Sequence, residues 1–565
     1  METFEEFKNR LLNYLHVEQD MEKKDIEALR KMSKDDKIEA CLMLTNLFVV
    51  KSSDDTYVLY VQDNYSKLRS GDKVILRKQI DETITKALVV DVTLNTISIT
   101  SDKELDENAI YDLEIDNPNL LASLIGCLEG IVPATPGAAF LRMLSGEETV
   151  EAESFLKINP EELYGYEKLY DKLNDEQKQA INSILEFYPI NLLQGPPGTG
   201  KTIVLANAAI ATSLKNREVV IIANTHQAVN NALTKIGKLN KKIPLIKIGE
   251  LLKTEGLDEN VIKFQKFSEY NDFSRINKKK KKYGYVVGMT IWGAIANLGL
   301  RSHSHFRPYL ALVDEASLLP LTYASVLGKC ASSICFMGDS RQMPPIFRHE
   351  LENNVLSESI LEYCAKNVKG VPVSVLPETH RMNREITHLV SKVFYEPHGI
   401  TLRSAESIAE NKFNSPYLNS QGMSDSFVFM DANISSPNCN EENDGESNAA
   451  IELTLKLLDE GYQAENIAIV TPFRKQVRLL RAKANDLIEQ NNCPLIDTVE
   501  RLQGQDVDCI ILSFASSNND YIERRKDFIF NLNRLNVMIS RAKTKVIILA
   551  SKLIQEELRN ILLID

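Results

Sequence analysis

The octapeptide Gly195-Pro196-Pro197-Gly198-Thr199-Gly200-Lys201-Thr202 has the residue types and spacing to hold phosphate. Glycines let successive backbone N–H groups curl around anionic oxygens with no Cβ in the way. An apolar run, Ile190 to Leu193, precedes the loop and a helical pattern, Ile203 to Leu214, follows it. The loop is therefore expected to join a strand to a helix N-terminus, whose partial positive charge favours anions. In that setting Lys201 reaches the β- and γ-phosphates of a nucleoside triphosphate, and the Thr202 hydroxyl ligates Mg²⁺. A glycine-rich turn is the plainer alternative; the strand before and the helix after disfavour it.

Two further segments suit the same chemistry. The apolar run Ala311-Leu312-Val313 ends in Asp314 and Glu315. At the carboxyl end of a strand beside the phosphate loop, Asp314 would hold the Mg²⁺ shell and Glu315 would polarise the attacking water. Alone, such a pair reads as an acid cluster at a helix start. The strand Phe336-Met337 then runs into Gly338-Asp339-Ser340-Arg341-Gln342. The neutral amide of Gln342 suits simultaneous contact with a γ-phosphate and a water; otherwise the segment is a turn.

These residues need elements to carry them. Residues 4 to about 45 have helical spacing (Phe4, Phe7, Leu11, Leu15). From Leu44 to Ile115 short β-branched runs alternate with turn signals, which predicts a small antiparallel barrel. Residues 150 to 187 return to helix. From Ile190 onward apolar strands (Val219 to Ala223, Tyr285 to Gly288, Leu310 to Val313, Ile334 to Met337) alternate with helices, as in a parallel sheet covered on both faces. A basic stretch at about 250–284, with the run Lys278 to Lys282, reads as an insertion or mobile loop. A second α/β set begins at Val373 to Leu376 and continues through Ser426 to Met430, Ile467 to Thr471, Cys509 to Phe514 and Val546 to Leu549. The segment 432–445 reads as a loop.

The 565 residues suffice for about three to four domains. Hydrophobic content of 44% and charged content of 25% are ordinary for a globular protein. The acidic start, Met1 to Glu6, lacks an apolar signal core, and no apolar run is long enough to cross a bilayer. The eight scattered cysteines form no CxxC pair, so reduced thiols and a cytoplasmic location are expected, without zinc. A net charge of −12 argues against a general nucleic-acid coat but allows a basic groove on an acidic body.

The order of these motifs resembles superfamily 1 helicases, in the branch (1B) containing the nonsense-mediated decay RNA helicase, senataxin, the immunoglobulin-mu-binding helicase and the Dna-two-type helicases. Leu173-Asn174-Asp175-Glu176-Gln177 is similar to that family's Q motif, which implies that Gln177 reads the adenine edge. Asn224-Thr225-His226-Gln227-Ala228-Val229-Asn230 stands where the family has a loop touching the nucleic-acid backbone, and Thr290 matches a further backbone contact. Leu376-Pro377-Glu378-Thr379-His380-Arg381-Met382 resembles the Gln-Tyr-Arg-Met motif and implies an arginine finger at Arg381. Ile469 to Phe473 with Gln476, and Thr498 to Asp506 with Gln503, match two more segments. Leu535 to Ala542 implies a second finger at Arg541. Thr379 and His380 replace Gln-Tyr, Asp506 replaces a ribose-facing Glu, and Phe473 lacks the family's tyrosine hydroxyl.

The resemblance implies an α/β fold of two RecA-like parallel-sheet P-loop domains with an N-terminal barrel and a helical stalk. Residues 1–45 would be the stalk-like helices and 46–150 the barrel domain. Residues 151–370 would form the first RecA-like domain and 371–565 the second. ATP and Mg²⁺ are the expected cofactors. Lys201, Glu315, Gln342, Arg381 and Arg541 are the expected catalytic set; Gln177, the loop from Gly195 to Thr202, and Asp506 would bind nucleotide. Asn224, Thr225, Thr290, Thr471, Thr498 and Gln503 are the candidate contacts to a single strand, held by phosphate hydrogen bonds rather than base-edge readout. Trp292 is either a base-stacking platform or a core residue, the latter favoured. The implied activity is an ATP-dependent helicase or translocase moving 5′ to 3′, as a monomer. A translocase that does not unwind, or a nucleotide-switched protein-binding module, are the alternatives. DNA against RNA stays open.

Overall fold

The fold is given by a computed structural model that describes residues 2–564 other than 41, 54–55, 63, 65–67, 69–71, 93–94, 102, 117–120, 153–156, 252, 255, 278–281, 300–305, 307, 346, 348–354, 489–491 and 502–505. The chain opens with the helix Phe4–Lys31. Thr3 caps it: the Glu6 N–H donates to Thr3 Oγ1 at 3.3 Å, and the Glu6 carboxylate accepts from the Thr3 N–H at 2.9 Å. Phe7, Leu11 and Leu15, four residues apart, are fully buried along one face. That face shares a core with the helices Leu121–Glu129 and Pro136–Ser145 and with the first large sheet.

Between these helices the alternating runs close into a barrel. Its strands are β1 (Met43–Ser53), β2 (Thr56–Tyr60), β3 (Lys73–Lys78), β4 (Ile84–Val92), β5 (Thr96–Thr100) and β6 (Ile110–Ile115), in the order β1-β2-β5-β4-β3-β6. Strict alternation puts Leu59, Val74, Ile97 and Ile99 inside with no exposure. The expected span of 46–150 is thus too long for a barrel, since residues 121–145 pack with the first helix instead.

The first large sheet is parallel and eight-stranded. It comprises β7 (Ile190–Gln194), β8 (Val219–Ala223), β9 (Leu245–Ile248), β10 (Ile262–Phe264), β11 (Val286–Thr290), β12 (Leu310–Val313), β13 (Ser333–Gly338) and β14 (Val373–Val375), ordered β10-β9-β11-β8-β12-β13-β7-β14. Separate apolar cores cover its two faces, which is why its inner strands carry apolar residues on both sides. Two expectations need correction. Val373–Val375 pairs with β7 and so ends the first sheet rather than starting the second. The stretch 250–284 also contributes structure: β10 extends the sheet, and the helix Phe267–Asn277 buries Phe267 and Tyr270 among Phe264, Phe273, Tyr285 and Phe306. Within the expected run Lys278 to Lys282, positions 278–281 lie outside the described residues.

After the short pair β15 (Glu378–Thr379) and β16 (Arg403–Ser404), a second parallel sheet follows. Its strands are β17 (Phe427–Phe429), β18 (Ile467–Thr471), β19 (Leu495–Thr498), β20 (Val507–Ser513) and β21 (Ala542–Leu549), ordered β17-β21-β20-β18-β19. It too has an apolar core on each face. The molecule therefore has two α/β lobes, with the barrel and the first helix attached to the first lobe.

Candidate active site

β7 delivers the phosphate loop and the helix Lys201–Leu214 leaves it. Gly198 and Gly200 have φ of +74° and +89°, a region costly to residues with a Cβ. A Cβ on Gly198 would come within 2.5 Å of Arg381 Cβ, and one on Gly200 within 2.7 Å of Gln177 Nε2. Thr199 Oγ1 donates to the Pro196 carbonyl at 2.8 Å and braces the turn. Lys201 Nζ lies against the Gly195 carbonyl, with the Pro196 carbonyl at 3.4 Å. Burial pushes the Lys201 ammonium pKa down, opposed by the Asp339 and Asp314 carboxylates.

β12 and β13 flank one another beside β7, so their carboxyl ends bring Asp314, Glu315 and Asp339 to the loop. Glu315 has φ of +55°, a strained value for a residue with a side chain. Its N–H donates to Asp314 Oδ1 at 2.9 Å. Glu315 Oε2 is buried and has no hydrogen-bond partner. Burial, with the Asp314 charge adding, raises the Glu315 pKa to about 7, against the pull of Arg541 and Lys201. Burial also raises that of Asp314. These donors fit a nucleotide-bound Mg²⁺, which needs one or two protein oxygens plus phosphate oxygens. Asp314 and the half-buried Thr202 would hold it, and bound there it would neutralise developing charge on the phosphates. Among the described residues no three His, Cys, Asp or Glu side chains group into a metal site of their own.

The second lobe brings its cations to this point. Arg541, which directly precedes β21, donates from Nη2 to Gln342 Oε1 at 3.5 Å. Arg381, just beyond β15, donates from Nη1 to the Ser540 carbonyl at 3.1 Å and lies 3.7 Å from Asp506 Oδ2. Burial lowers the Arg541 pKa to about 9, helped by the like charge of Arg381 and resisted by Glu315 and Asp506. Arg381 is lowered by burial as well. Lys201, Arg381 and Arg541 are thus desolvated cations from two lobes around one space, and an added polyanion would relieve all three.

The other expected residues are distributed as follows. Gln177 is buried and serves the capping box of the helix Asp175–Ile184, with Nε2 3.4 Å from the Thr199 carbonyl. Pro197 accepts from Thr379 Oγ1 at 2.8 Å. Asn224, Thr225 and Thr290 lie at the carboxyl ends of the paired strands β8 and β11. The two threonine hydroxyls accept helix-capping bonds from the Ala228 and Gly293 N–H groups. Thr471 and Thr498 are register partners at the ends of β18 and β19 and are both buried, so in this conformation neither offers a surface hydroxyl. Gln503 lies outside the described residues. Trp292 is half-buried against Tyr323, with ring centroids 5.0 Å apart.

Asp339 and Tyr395 also belong to this region, and neither carries a sequence signal of a role. Asp339 stands in the segment Gly338 to Gln342, where the amide of Gln342 is the more conspicuous group. Tyr395 sits in the pair Phe394-Tyr395, which looks like ordinary core.

Two AAA-domain families match the chain, one over residues 172–362 and the other over 356–553. Among curated proteins, the DNA replication ATP-dependent helicase/nuclease JHS1 of Arabidopsis thaliana is 26% identical over 531 residues, covering 87% of this chain and 38% of that protein. DNA2 of Bos taurus, with the same description, is 25% identical over 532 residues, covering 86% of this chain and 48% of its own length. The chain spans less than half of each of these two relatives. An arterivirus nonstructural protein 10 helicase superposes with a TM-score of 0.40 at 12% identity, covering 91% of this chain and 80% of that one. The order of the motifs from Gln177 to Arg541, the paired AAA domains and the helicase relatives agree: the chain is similar to the superfamily 1 P-loop helicases, in the branch that includes the Dna-two-type enzymes.

Proposed function

We propose that this chain is an ATP-driven motor on single-stranded nucleic acid, a helicase moving 5′ to 3′. The observation that carries this reading is the meeting of Arg381 and Arg541 from one lobe with Lys201, Glu315 and Gln342 from the other. In hydrolysis, water attacks the γ-phosphorus, Glu315 takes its proton and ADP leaves. Lys201 and the two guanidiniums oppose the charge that develops on the phosphoryl oxygens. Because those guanidiniums arrive only with the second lobe, turnover is tied to opening and closing of the two lobes. Asn224, Thr225 and Thr290 lie side by side at the carboxyl ends of the inner strands β8 and β11 and would grip the nucleic-acid backbone there. The direction of travel rests on the family resemblance.

The test is steady-state ATP hydrolysis at fixed moderate salt, with and without single-stranded DNA and RNA, beside Lys201→Ala. Stimulation by a strand, abolished in the variant, supports the motor, and the better stimulator names the substrate. Unwinding of 5′-tailed but not 3′-tailed or blunt duplexes supports the direction. Stimulated hydrolysis without unwinding would favour a translocase that strips bound proteins. Hydrolysis indifferent to both strands would favour a nucleotide-switched binding module.

A further inference from the structure

Tyr395 belongs to the second lobe, closing the helical turn Ser391–Tyr395, and its side chain is fully buried. Its hydroxyl crosses to the first lobe and donates to Asp339 Oδ2 at 2.5 Å. The Tyr395 hydroxyl oxygen in turn accepts from Asn536 Nδ2 at 2.9 Å. Asp339 Oδ1 accepts from Gln194 Nε2 at 2.7 Å and from the Arg341 N–H at 3.1 Å. Gln194 ends β7, and its Oε1 accepts from the Ser340 N–H at 3.2 Å. The carboxylate is therefore held on one side by the strand that feeds the phosphate loop and on the other by the second lobe.

The helix Leu532–Ile539 strengthens the second attachment. Asn536 Nδ2 also donates to the Arg341 carbonyl at 2.8 Å. Asn533 donates to the Ser340 carbonyl at 3.3 Å and to the Gln342 carbonyl. Asparagines three residues apart lie on one helix face, and here that face grips the backbone carrying Gln342. The helix leads through Ser540 directly to Arg541.

We infer that Tyr395, with Asn533 and Asn536, is a positioning residue that ties the Asp339–Gln342 loop to the second lobe, so that Gln342 and Arg541 reach the phosphates together. This rests on the ATPase reading of the site. Asp339 is buried, so withdrawing the phenol leaves a carboxylate oxygen short of its donor. Lobe opening must break that bond, and the loop loses its placement at the same moment. Burial and the Asp339 charge keep the phenol protonated, so it remains a donor across the working pH range.

The experiment is Tyr395→Phe, which keeps the ring and removes the hydroxyl. It is assayed for strand-stimulated kcat, KM for ATP and thermal midpoint, beside Asp339→Asn and the double variant. The expected result is a kcat loss of about tenfold or more, with KM and midpoint near wild type. The double variant should lose no more than the worse single one, because the two residues act through one bond. Unchanged kcat, or additive losses that track the midpoint, would overturn the inference. Should Tyr395→Phe not fold, the half-buried Asn533→Ala tests the same tie, and unchanged kcat there overturns it equally. Wild-type turnover no higher than that of Lys201→Ala would sink the ATPase reading and this inference with it. Normal Lys201-dependent turnover that ignores Tyr395→Phe sinks the inference alone.

Discussion

Thr379 donates its hydroxyl to the Pro197 carbonyl at 2.8 Å, so the second lobe touches the phosphate loop itself rather than only the space above it. One residue on, the His380 N–H donates to the Gly198 carbonyl at 2.8 Å. Gly198 lies directly against the second lobe, and its missing side chain leaves room for Thr379 and Arg381. Gly198→Ala should lower kcat by at least about tenfold, since the new Cβ meets Arg381 and the left-handed backbone costs about 1–2 kcal/mol. Thr379→Val removes the donor without adding bulk and should cost about 1 kcal/mol, or roughly fivefold in kcat/KM. Steady-state kinetics on both variants check the order; equal losses would contradict it.

Removing either guanidinium should spare nucleotide binding and depress turnover. For Arg541→Ala and Arg381→Ala, kcat is expected to fall by about three orders of magnitude while equilibrium ATP affinity changes little. Arg541→Lys should not restore activity, because an ammonium lacks the planar fork. Fluorescent-nucleotide titration beside single-turnover hydrolysis separates the two effects.

Glu315→Gln should lower kcat by about two to four orders of magnitude without weakening ATP binding. The neutral amide also removes a carboxylate crowded against Asp314. A variant with normal turnover would remove Glu315 from the role of base.

A second buried acid predicts how stability follows pH. Glu446 is wholly buried in the second lobe, where it accepts from the Ser435 and Ser513 hydroxyls and the Ala515 N–H. Burial raises its pKa from the ordinary 4.5 to about 7. Between those values the folded chain holds a proton that the unfolded chain has released, so stability falls as pH rises. The contribution is complete below the unfolded pKa and is lost through about pH 7, on the order of 3 kcal/mol in all. Thermal melts from pH 5 to pH 8 should show a falling midpoint that Glu446→Gln flattens. An equally steep fall in the variant would rule Glu446 out as the source.

The residues proposed to touch phosphate were legible because their chemistry is local. Gly195 to Thr202, Asp314-Glu315 and Gln342 each follow an apolar strand, and parallel strands put their carboxyl ends together whatever the loops between them do. The barrel was legible from alternation alone. Its boundary was not, because the helices at 121–145 are recognised only by what they pack against. β14 looked like the start of a new sheet since three extended residues carry no label of which sheet they join. The helix Phe267–Asn277 was hidden by aromatics that form a cluster instead of a stripe. Tyr395 was invisible for a deeper reason: its partner Asp339 lies in another lobe, and no spacing rule links the two.

The polypeptide passes between the lobes at Leu376 and Pro377. The Leu376 N–H donates to the Gln194 carbonyl at 3.0 Å on the first lobe, and the Pro377 carbonyl accepts from the Arg403 N–H at 3.0 Å on the second. The covalent pivot therefore sits at the end of the strand that feeds the phosphate loop. A hinge placed there acts like a door hung beside its own lock: a small rotation near the nucleotide becomes a long sweep at the outlying strands β10 and β19.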